Sequence, residues 1–367
     1  MKSRVMDKRR AAVCAAASLT LLLAAQTLRA QETKEKVTVD EVDRTFLLRL
    51  PAGYDAHHHY PVVIVLHGMN QDPDDIERLT QFNQLADKDG VIVAYPAALH
   101  GRWNIGVHPQ EHRSPFGPGP GRRRYGGGGY PGGGYPGGGG GYPGGGGGGY
   151  PGQRPNQEPE QPHRGAAADD IVFFNQMLDQ IGMKASVDSS RIYAIGLSDG
   201  GFMSMRTGCA LSDRIAAVGV VGATMPKNMI CVPGRPIPVV MINGTSDPVV
   251  PYNGGTEHSL DISVLSAEDS AKAWAKIDHC SDKPERTKIA AHDKGGMETR
   301  IDTYNGCQEN AQVVLYSIKG GGNTWPGGEQ YEAENSVGKT SSDLNANDTL
   351  WSFLVTRKLQ SKTTSTQ

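Results

Sequence analysis

Short apolar runs separated by amphipathic segments constrain the fold of this chain more than any other feature. Continuous apolar runs are typical of strands that are buried on both faces of a parallel sheet. Strands are predicted at 44–50, 61–66, 91–95, 191–195, 216–221, 237–242 and 313–318. Helices are predicted between or after them, at about 74–87, 169–181, 200–209, 267–277 and 342–359. This alternation predicts an α/β fold, with a mostly parallel sheet covered by helices on both faces.

The first thirty residues are predicted to be a secretory signal peptide and not part of the fold. Basic residues such as Lys2 and Arg4 precede an apolar core, Ala11–Ala25, which is too short to cross a bilayer as a mature helix. Ala30 is a small residue that suits cleavage before Gln31. The alternative is a cytosolic chain that merely begins with apolar residues. We expect an exported protein, extracellular or periplasmic, without stable membrane insertion after cleavage.

The balance of charge argues against some classes of partner. Removal of residues 1–30 takes six basic side chains from the 37 in the chain and one acidic side chain from the 39. The remainder carries an excess of acidic groups. Nucleic acid or an anionic membrane is therefore not expected as the main partner.

A glycine-rich segment interrupts the pattern of strands and helices. Between Tyr125 and Gly152 the sequence repeats Tyr-Pro-Gly with runs of glycine. Ordering so much glycine costs backbone entropy, which the few apolar side chains there do not offset. We predict a disordered insert at about 106–165 within a single domain at 31–359, and a disordered tail at 360–367. The sheet pattern resumes directly after the insert, which favours an insertion over a linker between two domains.

Four cysteines remain outside the predicted signal peptide: Cys209, Cys231, Cys280 and Cys307. An even number in an exported chain favours two disulfides, although four cysteines allow three pairings. We favour the sequential pairs 209–231 and 280–307, because each closes a short loop worth about 3 kcal/mol. A metal site is the alternative, but no Cys-x-x-Cys or Cys/His spacing supports it.

A five-residue turn, Gly196-Leu197-Ser198-Asp199-Gly200, lies between a predicted strand and a predicted helix. In that context the pattern is typical of a nucleophile elbow, whose glycines allow a strained turn that exposes the serine; the alternative is an ordinary turn. The backbone N–H of Asp199 would donate to a developing oxyanion, with that of Met69 as the second donor. His67, near Met69, is a rival for a catalytic histidine, but we expect it to brace its loop through a hydrogen bond.

Two further loops supply the remaining candidate groups. Asp247 follows the strand 237–242 and comes after the serine in the chain, which favours a catalytic acid over a turn-capping aspartate. Asn323 follows the strand 313–318, where the order Ser…Asp…His calls for a histidine. The chain therefore reads Ser…Asp…Asn.

Together these segments resemble the secreted polyhydroxybutyrate depolymerase and feruloyl-esterase-like family of α/β-hydrolases. The resemblance covers about 39–354 outside the insert and rests on Leu66–Gly68, Trp103–Asn104, Asp169–Asp170, Gly196–Gly201, Gly244–Tyr252 and Gly320–Gly328. It implies an α/β-hydrolase fold and a serine nucleophile acting on a small or polymeric carboxylic ester, with no cofactor and no metal. In that family a general-base histidine stands where this chain has Asn323. The resemblance also places Trp103 and Trp325 at the acyl or aryl pocket, although either could equally be a core aromatic.

The amide of Asn323 bears directly on turnover. It has no pKa near neutrality and cannot take the serine proton. Its Oδ1 could accept a hydrogen bond from Ser198 while its NH₂ donates to Asp247. His258, in a glycine-rich loop after Asp247, is the candidate for a substitute base, provided that it reaches the serine.

Three functions fit these residues. The first is an exported serine esterase of the polyhydroxybutyrate depolymerase or feruloyl esterase type. The second is a degenerate esterase-fold protein that binds an ester or polymer without turning it over. The third is a surface or matrix interaction protein that acts through its Gly/Tyr-rich insert. The resemblance favours the first, and the residue at position 323 favours the second.

Overall fold

The computed structural model describes residues 30–107 and 169–360. The predicted signal peptide apart from Ala30, the predicted insert apart from its first two residues, and the predicted tail beyond Gln360 lie outside the described residues.

A ten-stranded mixed sheet organises the described residues, with the strand order β1-β2-β4-β3-β5-β6-β7-β12-β11-β10. The central strands from β4 to β12 run parallel, and antiparallel pairs close both edges. The sheet strands are β1 (Gln31–Val39), β2 (Val42–Leu50), β3 (Tyr60–Leu66), β4 (Ile92–Pro96), β5 (Val187–Leu197), β6 (Ala217–Val221), β7 (Val239–Gly244), β10 (Glu285–Ile289), β11 (Thr299–Tyr304) and β12 (Val313–Ile318). A separate hairpin is formed by β8 (Gly255–Glu257) and β9 (Ile262–Val264).

Helices cover both faces of the sheet, as the sequence predicts. The helices are α1 (Pro73–Thr80), α2 (Phe82–Asp89), α3 (Asp170–Lys184), α4 (Asp199–Ala210), α5 (Ala267–Ile277), α6 (Glu334–Val337) and α7 (Ala346–Leu354). One face is packed by α3, α4 and α5, through buried side chains such as Phe174, Phe202 and Trp274. The opposite face is packed by α1, α2 and α7, through Ile76, Phe82 and others. These two apolar layers make the central strands buried on both sides, so their sequences are continuously apolar.

The structure corrects several predicted elements. The helix expected at 74–87 is divided, because Gln81 adopts a left-handed conformation with φ 49° that ends α1 before α2 begins. The terminal helix expected at 342–359 is shorter, at Ala346–Leu354. The strands β1, β8, β9, β10 and β11 have no counterpart among the predicted strands. Both β1 and β10 lie at the sheet edges with mostly polar, exposed side chains, so they lack the apolar pattern of the central strands.

The chain on either side of residues 108–168 contributes to the same sheet, since β3 pairs with both β4 and β5. The two flanking segments are also tied together. The backbone N–H of Asn104 donates to Oδ2 of Asp170 at 2.6 Å. Arg206 donates to the carbonyl of Asn104 and, at 2.9 Å, to Oδ1 of Asp169. Asn104 and Asp169–Asp170, near the facing ends of the two described segments, therefore lie close together.

Both predicted disulfides are confirmed. Cys209 at the end of α4 is bonded to Cys231, and Cys280 after α5 is bonded to Cys307. A search of the described helices finds none that is both long enough and apolar enough to cross a bilayer.

Candidate active site

The register of the parallel strands brings the candidate residues to one edge of the sheet. Leu66 at the end of β3 pairs with Gly196 in β5, and Gly244 at the end of β7 pairs with Ile318 at the end of β12. The turns that follow these strands therefore open at the same edge. They carry Met69, Ser198, Asp247 and Asn323, the residues that the sequence singles out.

The turn at Ser198 has the strained geometry expected of a nucleophile elbow. Ser198 has φ 54° and ψ −113°, and it directly precedes α4. Its backbone N–H donates to the carbonyl of Val221 at 2.8 Å. A Cβ on Gly196 would lie 2.3 Å from the carbonyl oxygen of Gly200, and one on Gly200 would lie 2.2 Å from that of Leu66. Both glycines are therefore required by close backbone approach, and the serine side chain is left half-buried at the edge of the sheet.

Asp247 is held by three donors. Its Oδ1 accepts hydrogen bonds from the backbone N–H groups of Val249 and Val250, each at 2.8 Å. Its Oδ2 accepts one from Nδ2 of Asn323 at 2.8 Å. Burial raises the pKa of Asp247 to about 6, and these three donors oppose that rise by favouring the charged form.

Asn323 uses both of its amide N–H groups. Nδ2 donates to Oδ2 of Asp247 and also, at 2.8 Å, to the carbonyl of Gly222. Its Oδ1 is buried and has no hydrogen-bond partner among the described residues. The expected hydrogen bond from Ser198 to this oxygen is therefore absent, while the expected bond to Asp247 is present. Asn323 thus holds the acid in place and does not engage the serine.

A strap formed by residues 327–341 fixes the backbone around Asn323. The N–H of Asn323 donates to the carbonyl of Val337 at 2.6 Å, and the hydroxyl of Tyr331 donates to the carbonyl of Asn323 at 3.0 Å. A Cβ on Gly322 would lie only 2.1 Å from the carbonyl oxygen of Val337. The turn at Asn323 is therefore packed as closely as the turn at Ser198.

His67 braces the turn that carries Met69, as the sequence predicts. Its Nδ1 lies 2.7 Å from the carbonyl of Gly68, and its Nε2 accepts the N–H of Ala98 at 3.1 Å. These contacts fix the tautomer with the proton on Nδ1. Burial lowers the pKa of His67, so the ring is neutral, and its two nitrogens are engaged by the backbone of Gly68 and of Ala98.

The side chain of Asp199 was not singled out by the sequence. It is 1 % exposed, its Oδ2 accepts the backbone N–H of Trp103 at 3.0 Å, and its Oδ1 has no partner among the described residues. Burial raises the pKa of Asp199 to about 7, with a further rise from the charge of Glu257. Residues 199 and 103 are far apart in the chain, so no local sequence signal identifies this contact.

The structure places both candidate pocket tryptophans in the core. Trp103 is 4 % exposed and its Nε1 donates to the carbonyl of His67 at 2.9 Å. Trp325 is 1 % exposed and its Nε1 donates to Oδ1 of Asn347 at 2.9 Å. Both side chains are therefore core aromatics in this structure, because neither has an exposed ring face that a ligand could contact.

His258 is not brought to the serine. It is exposed on the turn between β8 and β9, and in the described part of the chain no hydrogen bond joins it to Ser198 or Asp247. Within residues 30–107 and 169–360, no three His, Cys, Asp or Glu side chains are gathered in a way that could hold a metal ion. A cavity of about 380 Å³ between α1, α2 and the start of α7 is lined by none of the candidate catalytic residues.

Comparisons with known proteins support the fold described above. The model of the Phospholipase/Carboxylesterase family matches residues 160–293, which include the turn at Ser198, β6, β7 and Asp247. The chain is 25% identical over 337 residues to a putative esterase, NocK, of Nocardia uniformis subsp. tsuyamanensis, covering 89% of this chain and 83% of that protein. The chain has the α/β-hydrolase fold.

Other relatives of this α/β-hydrolase chain are also named esterases. It is 35% identical over 162 residues to feruloyl esterase B of Piromyces equi, covering 42% of this chain. It is 20% identical over 289 residues, 74% of this chain, to the bifunctional acetylxylan esterase/xylanase XynS20E of Neocallimastix patriciarum. The chain matches only 29% of the length of the first enzyme and 31% of the second. These matches support the carboxylic-ester hydrolase class.

Proposed function

We propose that this protein is an exported carboxylic-ester hydrolase in which Ser198 is the nucleophile. The observation that carries the proposal is the backbone of Ser198, held at φ 54° at the start of α4 beside the Asp247–Asn323 hydrogen bond. A strained serine in this context is an arrangement typical of acyl transfer. The named esterases among its relatives support the same class of reaction.

In this reaction the Ser198 hydroxyl attacks the ester carbonyl carbon, and the carbonyl oxygen becomes an oxyanion. The backbone N–H groups of Asp199 and Met69 are the proposed donors to that oxyanion. The serine proton has no basic acceptor at position 323, because an amide does not take a proton near neutrality, so it passes to solvent water. Collapse of the oxyanion then breaks the ester C–O bond, the alcohol leaves with a proton from water, and a second water hydrolyses the acyl-serine. We therefore infer slow turnover. In subtilisin, loss of the triad histidine lowers kcat by about 10⁶-fold, while about 10³–10⁴-fold acceleration over water survives.

We propose that the substrate is a small or polymeric ester of the feruloyl or hydroxyalkanoate type. The feruloyl esterase among the relatives favours the first, and the resemblance of the loops at Ser198, Asp247 and Asn323 favours the second. Export is supported by the basic and apolar start of the sequence and by the two disulfides, which form and persist in oxidising compartments.

The test combines covalent labelling with turnover. We expect a fluorophosphonate probe to label Ser198, and p-nitrophenyl acetate to be hydrolysed slowly at a rate that Ser198→Ala abolishes. Feruloyl methyl ester and hydroxybutyrate oligomers then rank the two substrate types. A wild-type protein that the probe does not label, with hydrolysis unchanged in Ser198→Ala, would refute the serine mechanism.

A second candidate function is binding of an ester or polymer without turnover. It is favoured by Asn323, whose two N–H groups are both committed to Asp247 and Gly222 and whose remaining oxygen is not basic. In this case an ester would bind with measurable affinity, Ser198 would remain unlabelled, and no hydrolysis would be detected at any pH. The third reading, in which the insert acts, concerns residues outside those described; deletion of 121–152 followed by a surface-association assay tests it.

A further inference from the structure

The two proposed oxyanion donors belong to different turns. Met69 lies in the turn after β3, and Asp199 lies in the turn after β5. Both N–H groups have to converge on one oxygen atom, within a tolerance of about 0.5 Å. The pairing between β3 and β5 ends at Leu66 and Gly196, before either donor is reached. Contacts beyond the sheet must therefore set the distance between the two turns.

Trp103 connects these two turns, because its backbone contacts one of them and its indole ring contacts the other. Its backbone N–H donates to Oδ2 of Asp199 at 3.0 Å, and its indole Nε1–H donates to the carbonyl of His67 at 2.9 Å. The indole packs against the His67 ring, with centroids 4.9 Å apart, and edge-on to Phe174 at 5.6 Å. A buried, rigid side chain thus joins the residue after the nucleophile to a residue two positions before Met69.

The far end of this connection is itself fixed. The imidazole of His67 contacts the carbonyl of Gly68 at 2.7 Å and accepts the N–H of Ala98 at 3.1 Å. The carbonyl of His67 also lies directly against the elbow, since a Cβ on Gly200 would come within 2.7 Å of it. A shift of the His67 carbonyl would therefore displace the turn at Met69 and the turn at Ser198 at the same time.

We propose that Trp103 and the Asp199 side chain form a bridge that sets the spacing of the two oxyanion donors. The inference rests on the proposed function and adds residues to it. Trp103 and the Asp199 side chain act as positioning residues, because they hold the donors and do not contact the ester. Trp103 then holds the two turns together and does not line the pocket. The bridge also gives a reason for the buried carboxyl that follows the nucleophile.

The rate at which Ser198 reacts with a fluorophosphonate tests the bridge without requiring turnover. As the serine oxygen bonds to phosphorus and fluoride leaves, negative charge develops on the phosphoryl oxygen, which faces the same donors. Trp103→Phe keeps an aromatic ring but removes the indole N–H. We expect the second-order labelling rate of this variant to fall about tenfold or more, since small displacements at a reacting centre are costly. Trp351→Phe truncates a largely buried indole on α7 outside the bridge and serves as the control, with an expected rate equal to wild type.

Two substitutions at Asp199 separate positioning from packing. Asp199→Asn keeps an oxygen that accepts the Trp103 N–H, whereas Asp199→Ala removes it. We expect the asparagine variant to label at close to the wild-type rate and the alanine variant to label about tenfold more slowly, with thermal melting confirming that both are folded. Equal rates for the two variants, or a wild-type rate in folded Trp103→Phe, would overturn the bridge. Absence of labelling in wild type would overturn the proposed function and this inference with it.

Discussion

The turn at Ser198 and the turn at Asn323 are built alike but differ in chemistry. In each, a glycine packs so tightly that a Cβ would lie about 2 Å from a carbonyl oxygen: 2.2 Å for Gly200 and 2.1 Å for Gly322. The first turn presents a hydroxyl at a strained backbone position, as acyl transfer requires. The second presents an amide where a base is expected. Packing and sheet register therefore hold the backbone of the second turn, whichever side chain stands at position 323.

The largest expected effect comes from restoring a base to the second turn. Asn323→His should raise kcat for p-nitrophenyl acetate by at least about 10²-fold, toward the scale lost when a triad histidine is removed. Asp247 is already in place to accept the one N–H of a neutral imidazole, which leaves the other ring nitrogen free to act as the base. Steady-state kinetics measure the gain, and Ser198→Ala in the same background should abolish it.

Two outcomes would break this comparison. If wild type is already fast and His258→Ala silences it, the base has moved to another loop and Asn323 is irrelevant to the rate. If Asn323→His gains nothing although the protein is folded, the second turn differs from the first by more than one side chain.

The next effect concerns the glycines that make the two turns alike. Gly200→Ala and Gly322→Ala should each lower the free energy of unfolding by about 3 kcal/mol or more, because the new Cβ meets backbone that cannot move freely. Gly182→Ala is the matched control. It lies in α3 with no atom within 4 Å of the added Cβ, and it should stabilise the protein by about 0.5–1 kcal/mol. Urea denaturation measures all three, and a mild effect at only one turn would show that the turns are not equally constrained.

A smaller effect should appear as a pH dependence at the first turn. The folded pKa of Asp199 is about 7, above its ordinary value of 3.8, so its contribution to stability is present at acidic pH and is lost as pH rises through 7. Asp199→Asn removes this titration. The stability of the variant relative to wild type should therefore rise by about 1–3 kcal/mol between pH 5 and pH 8. Comparing the two proteins cancels other groups, including buried His67, whose lowered pKa acts in the opposite direction. A difference that does not change with pH would contradict the assignment.

The smallest effect is expected from the segment 111–165, which lies outside the described residues. Arg206 binds Asn104, which precedes this segment in the chain, and Asp169, which follows it. The turn at Ser198 is therefore anchored without the segment. Replacing residues 111–165 by a short Gly-Ser linker should change the free energy of unfolding by less than about 1 kcal/mol, since loop entropy depends weakly on length. Arg206→Ala, which releases both ends, should cost more. Loss of folding in the shortened chain would refute this view.

The central architecture and the gathering of Ser198, Asp247 and Asn323 could be predicted from the sequence. Apolar runs mark buried parallel strands, and residues that follow such strands meet at one edge, so chain order alone brings these three together. The strand Val313–Ile318 and the helix Ala267–Ile277 have the predicted bounds. The α/β-hydrolase fold, which this order of strands and helices and the resemblance predict, is confirmed.

What the sequence did not reveal depends on contacts between distant residues. The edge strand β1 is polar, and only its pairing with β2 defines it. The role of Trp103 changes from a predicted pocket residue to a buried one because its two N–H groups meet Asp199 and His67 across the fold. One N–H of Asn323 likewise donates to the carbonyl of Gly222, and no local motif connects these two residues.

The preserved second turn also has a consequence for how this protein can change over generations. Codons for asparagine and histidine differ only in their first nucleotide, so one substitution in the gene would restore an imidazole at position 323. Asp247 and the strap that fixes the backbone would not need to change with it. Under the proposed function, populations carrying this gene therefore lie one mutational step from a chain that reads Ser198, Asp247 and histidine.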